Sequence, residues 1–383
     1  MRDEFVRAVD MVVRHIDEDR FQSFFVNVTY KCPLACKYCY VNQRSKPDMT
    51  YEEIEYLVGR LVAGGAHTIT FFGGEPALRI GDIAKIVRKH RDGITHFGII
   101  TSFMANREKL LELMADVPRF EVTVSYDSPE NGQRVYHGGR PIDFKSVDFS
   151  GVHGNINLLK VVNGHEKALA KDLCDYLDLL EKYRIYGDVS DNKTPYDRMD
   201  YGKLEDGYHR YAERVMDDYL SGKLLYLPRH FVDNMLSFLR QDRVNMGGCG
   251  ILQEIFISAD GTVSPCSISN MGEELRLRDE DSYKSIRDLE LSYLQNPECE
   301  SCAERFFCNG GCLVDRFNTN GDYQKPNRAW CRYEKAVCNA YRKAFEKYSK
   351  MDAISRMRLT DGILKWKTKH YEYCGMNISF YEL

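Results

Sequence analysis

At 383 residues, 43% of them hydrophobic, the chain is long enough to bury a full core in one large unit with a smaller one appended. Its 53 basic and 57 acidic residues leave a net charge of −4 and are interspersed, so there is no basic stripe and nucleic acid is not an expected partner. No apolar run approaches the roughly 18–20 residues of a membrane helix, and Met1 to Asp10 is charged rather than built as a signal peptide, so a cytoplasmic protein with no membrane partner is expected.

A lead segment, residues 1–22, precedes an alternation of β-rich apolar runs with helix-period segments, the pattern of a parallel sheet with helical crossovers. Strands are expected at 24–29, 67–72, 96–101, 120–126, 155–162 and 184–189, and helices at 51–61, 80–90, 107–114 and 166–183. Thr50 caps the first of these helices and Glu53 completes its capping box. Six βα-like units over 23–190 predict an α/β fold, a partial (β/α)6 barrel, although the fourth crossover, 127–154, lacks helical periodicity. A polar, Asp- and Tyr-rich linker follows over 191–245, with helices near 204–221 and 231–241. Runs 254–258 and 262–265 around Ala259, Asp260 and Gly261 then read as a hairpin in a smaller unit, 246–335. A helix over 332–348 packs back, the closing stretch 336–383 is expected to be folded, and no internal repeat is present.

Eleven of the thirteen cysteines fall in two zones, 32–39 and 249–338, leaving Cys174 and Cys374 apart. In a reducing compartment such clustering favours metal over disulfides. Cys32, Cys36 and Cys39, spaced Cx3Cx2C, follow a strand directly. Three thiolates on one loop can hold three irons of a cubane that normally takes four cysteines, leaving one iron open to chelate the amino and carboxylate groups of S-adenosylmethionine (SAM). The competing reading, zinc, requires a fourth ligand, and no histidine lies close by in sequence.

This spacing, with Tyr38 just before the third cysteine and with Gly73, Gly74, Glu75 and Pro76 after the second strand, resembles the radical SAM superfamily over about residues 24–189. The resemblance implies that the GGEP segment hydrogen-bonds the SAM amino group, its glycines letting backbone approach the ligand closely. It implies further contacts from Ser125 to the ribose and from Arg134 or Arg140 to the carboxylate, with Tyr38 packing on the adenine or in the sheet. Where relatives carry a serine-leucine-aspartate-glycine segment, this chain reads Ser125, Tyr126, Asp127, Ser128, Pro129.

Further on, Cys299, Cys302, Cys308 and Cys312 (Cx2Cx5Cx3C), preceded by Cys249 and Cys266 and followed by Cys331, resemble the iron-sulfur SPASM extension of radical SAM peptide and protein maturases. The resemblance implies three 4Fe-4S clusters in all. One binds SAM, a first auxiliary cluster takes Cys249, Cys266 and Cys312, and a second takes Cys299, Cys302, Cys308 and Cys331. Arg243 to Gly248 holds no cysteine, so the first auxiliary cluster either keeps an open iron or takes a ligand from elsewhere, Cys338 being a candidate. Two zincs in a ribbon are the alternative for this array, and even as clusters the array can serve as a staple for a small unit. Cys174, on an apolar helical face, reads as a buried core residue.

The SPASM resemblance implies an oxidoreductase whose substrate is a peptide or protein side chain. Thioether formation, carbon-carbon crosslinking of a ribosomally made peptide, and formylglycine formation as in sulfatase maturases remain open, together with dehydrogenation of a small molecule. Sulfatase maturases carry an aspartate directly after the second SPASM cysteine, where this chain has Ser267. With 31 residues before Cys32 there is no room for an N-terminal leader-binding module, so leader recognition is expected from a separate partner protein or the C-terminal tail. A reductant such as flavodoxin or ferredoxin is implied. No catalytic acid or base stands out.

Overall fold

Alternation along the strands sets the architecture. In β4 (Phe120–Tyr126) the side chains of Phe120, Val122, Val124 and Tyr126 are buried while Glu121, Thr123 and Ser125 are half-buried, and β5 (Ile156–Val162) repeats the pattern with Ile156, Leu158, Lys160 and Val162 inside. Such strands have one face sealed by helices and a second, more polar face left partly open. The computed structural model describes residues 3–16, 23–39, 41, 45–94, 96–144, 147–149, 155–162, 164, 166, 168–191, 199–240, 254–266, 275–293, 295–308 and 310–374.

Parallel pairing runs from β1 (Ser23–Thr29) through β2 (Thr68–Gly73), β3 (His96–Thr101), β4 and β5 to β6 (Tyr186–Asp191), with α2 (Tyr51–Ala63), α3 (Ile80–His90), α4 (Arg107–Asp116) and α5 (Leu169–Tyr183) as crossovers. These are the six expected βα-like units of the partial barrel, each within a few residues of its expected bounds. The capping box of α2 forms as expected: Glu53 N–H donates to Thr50 Oγ1 (3.2 Å) and Thr50 N–H to Glu53 Oε2 (3.0 Å). Among the described residues the fourth crossover holds no α-helix. It contains a short 3-10 turn, Pro129–Asn131, and two isolated bridges, Leu34 to Tyr136 and Val135 to Pro141.

The expected hairpin forms from β7 (Glu254–Ile257) and β8 (Val263–Ser264), but it is continuous with the sheet rather than apart from it. Strand β7 pairs in parallel with β1, Ser23 opposite Glu254 through Val26 opposite Ile257, giving the order β6-β5-β4-β3-β2-β1-β7-β8. Strand β1 buries Phe24, Val26 and Val28 on one face and carries Phe25 among Ser23, Asn27 and Thr29 on the other, and an unpaired edge on such a strand is a liability that a further strand removes. Phe256 stacks on Phe25 at 4.6 Å and meets Phe72 edge-on at 5.4 Å, filling the open face at this end.

Helices not anticipated from the sequence are α1 (Asp3–Arg14), α8 (Glu280–Tyr293), α9 (Pro297–Glu300), α10 (Arg305–Cys308), α11 (Leu313–Asn320) and α13 (Ala353–Cys374). The linker helices α6 (Tyr201–Leu220) and α7 (Arg229–Leu239) pack against α12 (Arg328–Lys350), which begins four residues before its expected start and is capped by Asn327. Tyr208 Oη and Tyr333 Oη share a hydrogen bond of 3.2 Å, Lys343 Nζ reaches Glu205 Oε1 at 2.5 Å, and His230 Nδ1 lies 2.9 Å from Tyr341 Oη. Among the described residues no helix is long and apolar enough to cross a membrane.

His230 makes this joint pH-sensitive. Burial pushes its imidazole down to about 4, the Asp233 carboxylate acting weakly the other way. With a folded value below the unfolded value of about 6.5, its stabilising contribution is fully present above that pH and drains away as pH falls towards 4. Urea midpoints measured between pH 7 and 4 are expected to fall more steeply for the native chain than for His230→Asn; parallel curves would show that His230 is not the group responsible.

Candidate functional site

The cysteine loop leaves the end of β1 and is pinned along both flanks by backbone. On one flank Gly74 N–H donates to Thr29 O (2.7 Å) and Glu75 N–H to Lys31 O (2.8 Å). Along the other, Ala35 N–H donates to Val135 O (2.8 Å) and Lys37 N–H to Gln133 O (2.9 Å), while His137 Nε2 sits 3.0 Å from Cys32 O. Leu34 is buried beneath the loop and keeps Cys32 and Cys36 half-buried and Cys39 exposed. The N–H of Leu34 already points at Cys32 Sγ (3.4 Å), a donor of the type that stabilises a ligating thiolate.

This donor set fits an iron-sulfur cluster: three accessible thiols on one short, backbone-clamped loop, one carrying an N–H···S hydrogen bond.

The glycines of the GGEP segment are needed for a reason beyond ligand approach. A Cβ on Gly73, whose φ is +138°, would stand 2.1 Å from Asn27 Oδ1 and 2.3 Å from Thr29 O; one on Gly74 would stand 2.3 Å from Lys31 O and 2.5 Å from Tyr30 O. Only glycine lets β2 end this close to the cysteine loop. Glu75 is buried, and its carboxylate is filled from within the protein. Oε1 accepts from Thr101 Oγ1 (2.6 Å) and Ala77 N–H (3.1 Å), and Oε2 accepts from Ser102 N–H (2.8 Å) and Ser102 Oγ. What the segment offers to a ligand is therefore backbone, with Pro76 buried at the start of a 3-10 turn, Pro76–Arg79, that Glu75 caps. Thr101 and Ser102, which close this network at the end of β3, were missed by sequence reasoning.

Arg134 and Tyr38 come together beside the loop: Arg134 Nη1 donates to Tyr38 Oη at 3.2 Å. Burial is the main influence on the Tyr38 phenol and raises its pKa well above the ordinary range, only partly offset by the Arg134 charge, so it stays protonated. For Arg134 burial works against the charge, but Tyr38 and Cys36 outweigh it and the guanidinium remains a cation. Arg140, the other arginine considered, is exposed with its guanidinium over the Tyr136 ring at 4.5 Å.

Ser125 is half-buried on the open face of the sheet, paired across to Leu159. Asp127 turns the other way. Its Oδ1 accepts from Lys160 Nζ at 3.1 Å, neither side chain reaching solvent, and from Asn131 Nδ2 at 3.2 Å, which also donates to Asp172 Oδ2 at 3.0 Å. This buried network anchors the segment that clamps the cysteine loop. Its one signal in the sequence is Lys160, a charge at the core parity of β5 among Ile156, Leu158 and Val162.

In the C-terminal part Cys249 lies outside the described residues, as do Arg243 to Gly248 and Ser267. Cys266 is half-buried just after β8 and Cys312 occupies the N-cap of α11. Cys299 sits in α9, Cys302 between α9 and α10, Cys308 at the end of α10 and Cys331 in the first turn of α12. These four thiols are electrostatic neighbours. Burial raises Cys331 first, and Cys299 and Cys302 raise it further; Cys308 is raised by burial and then by Glu334 and Cys331. Gly310 and Gly311, with φ of +81° and +77°, turn the chain between Cys308 and Cys312. Cys338 is buried in α12, with Arg342 Nη2 3.6 Å from its sulfur, and burial pushes its thiol up to about 12. Cys174 is half-buried rather than in the core, because its place on α5 falls at the rim of the helix's buried stripe.

Residues 26–148 match the family described as the Radical SAM superfamily. The chain is 23% identical over 353 residues to an uncharacterized protein of Archaeoglobus fulgidus, covering 86% of this chain and 84% of that one. It is 26% identical to the GTP 3',8-cyclase of Limosilactobacillus fermentum, covering 68% and 84% respectively. Among solved structures, native anSMEcpe with bound AdoMet superposes with a TM-score of 0.68 at 19% identity, covering 86% of this chain and 100% of that one. Streptococcus suis SuiB bound to precursor peptide SuiA gives 0.62 at 15% identity, covering 84% and 79%. The family match and the shared fold together place a radical SAM domain on a partial barrel. Residues 26–148 thus carry a radical SAM domain, and such a domain implies SAM and a 4Fe-4S cluster.

Replacing Glu75 with Gln turns an amide N–H2 towards a backbone N–H, that of Ala77 or of Ser102, which can only donate. A loss of about 2–3 kcal/mol in urea unfolding is expected from the broken pairings. Unchanged stability would mean that the carboxylate is not the hub of this corner.

Proposed function

We propose that the chain uses Cys32, Cys36 and Cys39 to hold the SAM-binding cluster and modifies side chains of a ribosomally made peptide by hydrogen abstraction, forming a thioether or carbon-carbon crosslink. Held by these three thiolates, a 4Fe-4S cluster would supply the electron for reductive cleavage of the SAM sulfonium. The observation that carries the reading is the placement of three thiols on one loop between the backbone of Gly73 and Gly74 and the 133–137 segment, beside the open face of the sheet. In this reading the carbonyls of Gly73 and Gly74 receive the SAM amino group, Arg134 faces its carboxylate, Tyr38 flanks the adenine and Ser125 the ribose. Two further clusters are assigned to Cys249, Cys266 and Cys312 and to Cys299, Cys302, Cys308 and Cys331.

A peptide substrate is supported by the fold shared with SuiB bound to precursor peptide SuiA and with anSMEcpe bound to AdoMet and the Cp18Cys peptide. Forming one crosslink removes two hydrogens from the peptide. One leaves as an atom to 5′-deoxyadenosine and the other as a proton and an electron, for which the C-terminal thiol sets would hold the acceptor. A flavodoxin- or ferredoxin-like reductant and a separate leader-binding protein complete the scheme. The second reading, a small-molecule substrate, draws on Thr123, Ser125 and Asn157 on the half-buried face of β4 and β5 and on the likeness to GTP 3',8-cyclases.

Two measurements test this. Anaerobic reconstitution should load about twelve irons per chain, falling by about four when Cys32, Cys36 and Cys39 are all replaced by Ala; a colourless, zinc-filled preparation would end the proposal. With SAM and dithionite the native chain should release 5′-deoxyadenosine, and a co-encoded peptide should lose two hydrogens by mass spectrometry. Turnover of SAM with no mass change in any such peptide, but consumption of a small molecule, would favour the second reading.

A further inference from the structure

Arg316, on α11, is among the largest fully buried side chains of the described residues, with 1% of its surface exposed. Its position is over-determined. Nε and Nη2 both donate to Gly310 O, at 3.0 and 2.5 Å, and Nη1 donates to Tyr323 O (3.4 Å) and Gln324 O (3.3 Å). Nη2 also lies 3.3 Å from Cys299 Sγ. The Gly310 carbonyl is aimed by a left-handed backbone at φ +81°, so the turn between Cys308 and Cys312 itself orients the guanidinium. A charge of opposite sign stands beside another of the four thiols: Cys302 Sγ donates to Glu304 Oε2 at 3.4 Å.

A rigid guanidinium is always charged, and holding one in the interior is costly unless a negative partner repays the lost hydration. An iron-sulfur cluster on four thiolates is such a partner, and it becomes more negative on reduction. A fixed cation with an N–H···S hydrogen bond to a ligand therefore stabilises the reduced form. We infer that Arg316 is a positioning residue that donates to the sulfur of Cys299 and raises the reduction potential of a cluster on Cys299, Cys302, Cys308 and Cys331. This rests on the proposed cluster assignment and deepens it, since it makes that cluster the easier to reduce and hence suited to accept the electron released by the substrate.

The test uses the full-length chain carrying Cys32→Ala, Cys36→Ala and Cys39→Ala, so that only the C-terminal clusters are observed, with its arginines labelled with 15N in the guanidino group. After dithionite reduction, pulsed EPR is expected to show a 15N hyperfine coupling that is absent in Arg316→Lys. Potentiometric EPR is expected to place the cluster at a more negative potential in Arg316→Gln than in the native chain, with Arg316→Lys between the two. A reduced-cluster signal with no 15N coupling overturns the inference, as does an unchanged potential in Arg316→Gln. Should Arg316→Gln not fold, the labelled protein with Arg316 intact decides by itself. If iron content does not drop in Cys299→Ser or Cys331→Ser, the cluster assignment has failed and the inference with it. Intact iron binding without nitrogen coupling removes only the role of Arg316.

Discussion

The structure depends on how closely two pieces of backbone approach at the end of the first two strands. Gly73 and Gly74 lie so near Thr29, Tyr30 and Lys31 that no Cβ fits between them, and the contact is closed by two short backbone hydrogen bonds. Backbone-to-backbone contact of this kind has little torsional freedom, so the loop that follows carries its three thiols on a rigid base. Glu75 extends the constraint to the third strand by accepting from Thr101 and Ser102. The Asp127 to Lys160 ion pair extends it to the fourth and fifth by anchoring the segment that lies along the loop's other flank.

The C-terminal part is bound into the same frame. Strand β7 covers the apolar edge of β1, and Lys46, from the stretch after the cysteine loop, reaches Asp260 in the β7–β8 turn at 2.5 Å. Asp260 also accepts from Thr262 N–H at 3.1 Å, so one carboxylate shapes the turn and ties it to the loop. The hairpin that reads from the sequence as the start of a separate unit is thus part of the sheet that presents the thiols. On the opposite side, the buried Tyr208, Tyr333, Tyr341 and His230 lock the linker helices to α12, which carries Cys331 and Cys338.

Much of the fold was legible because strand and helix periods leave different marks, and the six parallel strands and their crossovers lie close to where alternation and capping place them. The hairpin was legible as a turn, but its pairing with β1 was not, since Phe256 stacking on Phe25 joins residues more than two hundred positions apart. Short helices around the C-terminal thiols, such as α9 and α10, span about one turn and have no period to read. The clamp from residues 133–137 was hidden for a similar reason: its hydrogen bonds are made by backbone, and the side chains there carry no pattern.

By itself the sequence determined which groups are on offer and at what interval: three thiols spaced Cx3Cx2C after the first strand, a second set of cysteines further on, and a parallel sheet. Those are matters of residue type and interval, which survive without coordinates. Tertiary structure alone decided the rest. It filled the Glu75 carboxylate from inside the protein, sent Asp127 to Lys160, put Arg134 on Tyr38 and left Arg140 at the surface, and set a buried Arg316 against Cys299. In each case the role of a charged or polar group depends on which partner is within hydrogen-bond reach and how much water is excluded, and folding brings those partners from distant parts of the chain.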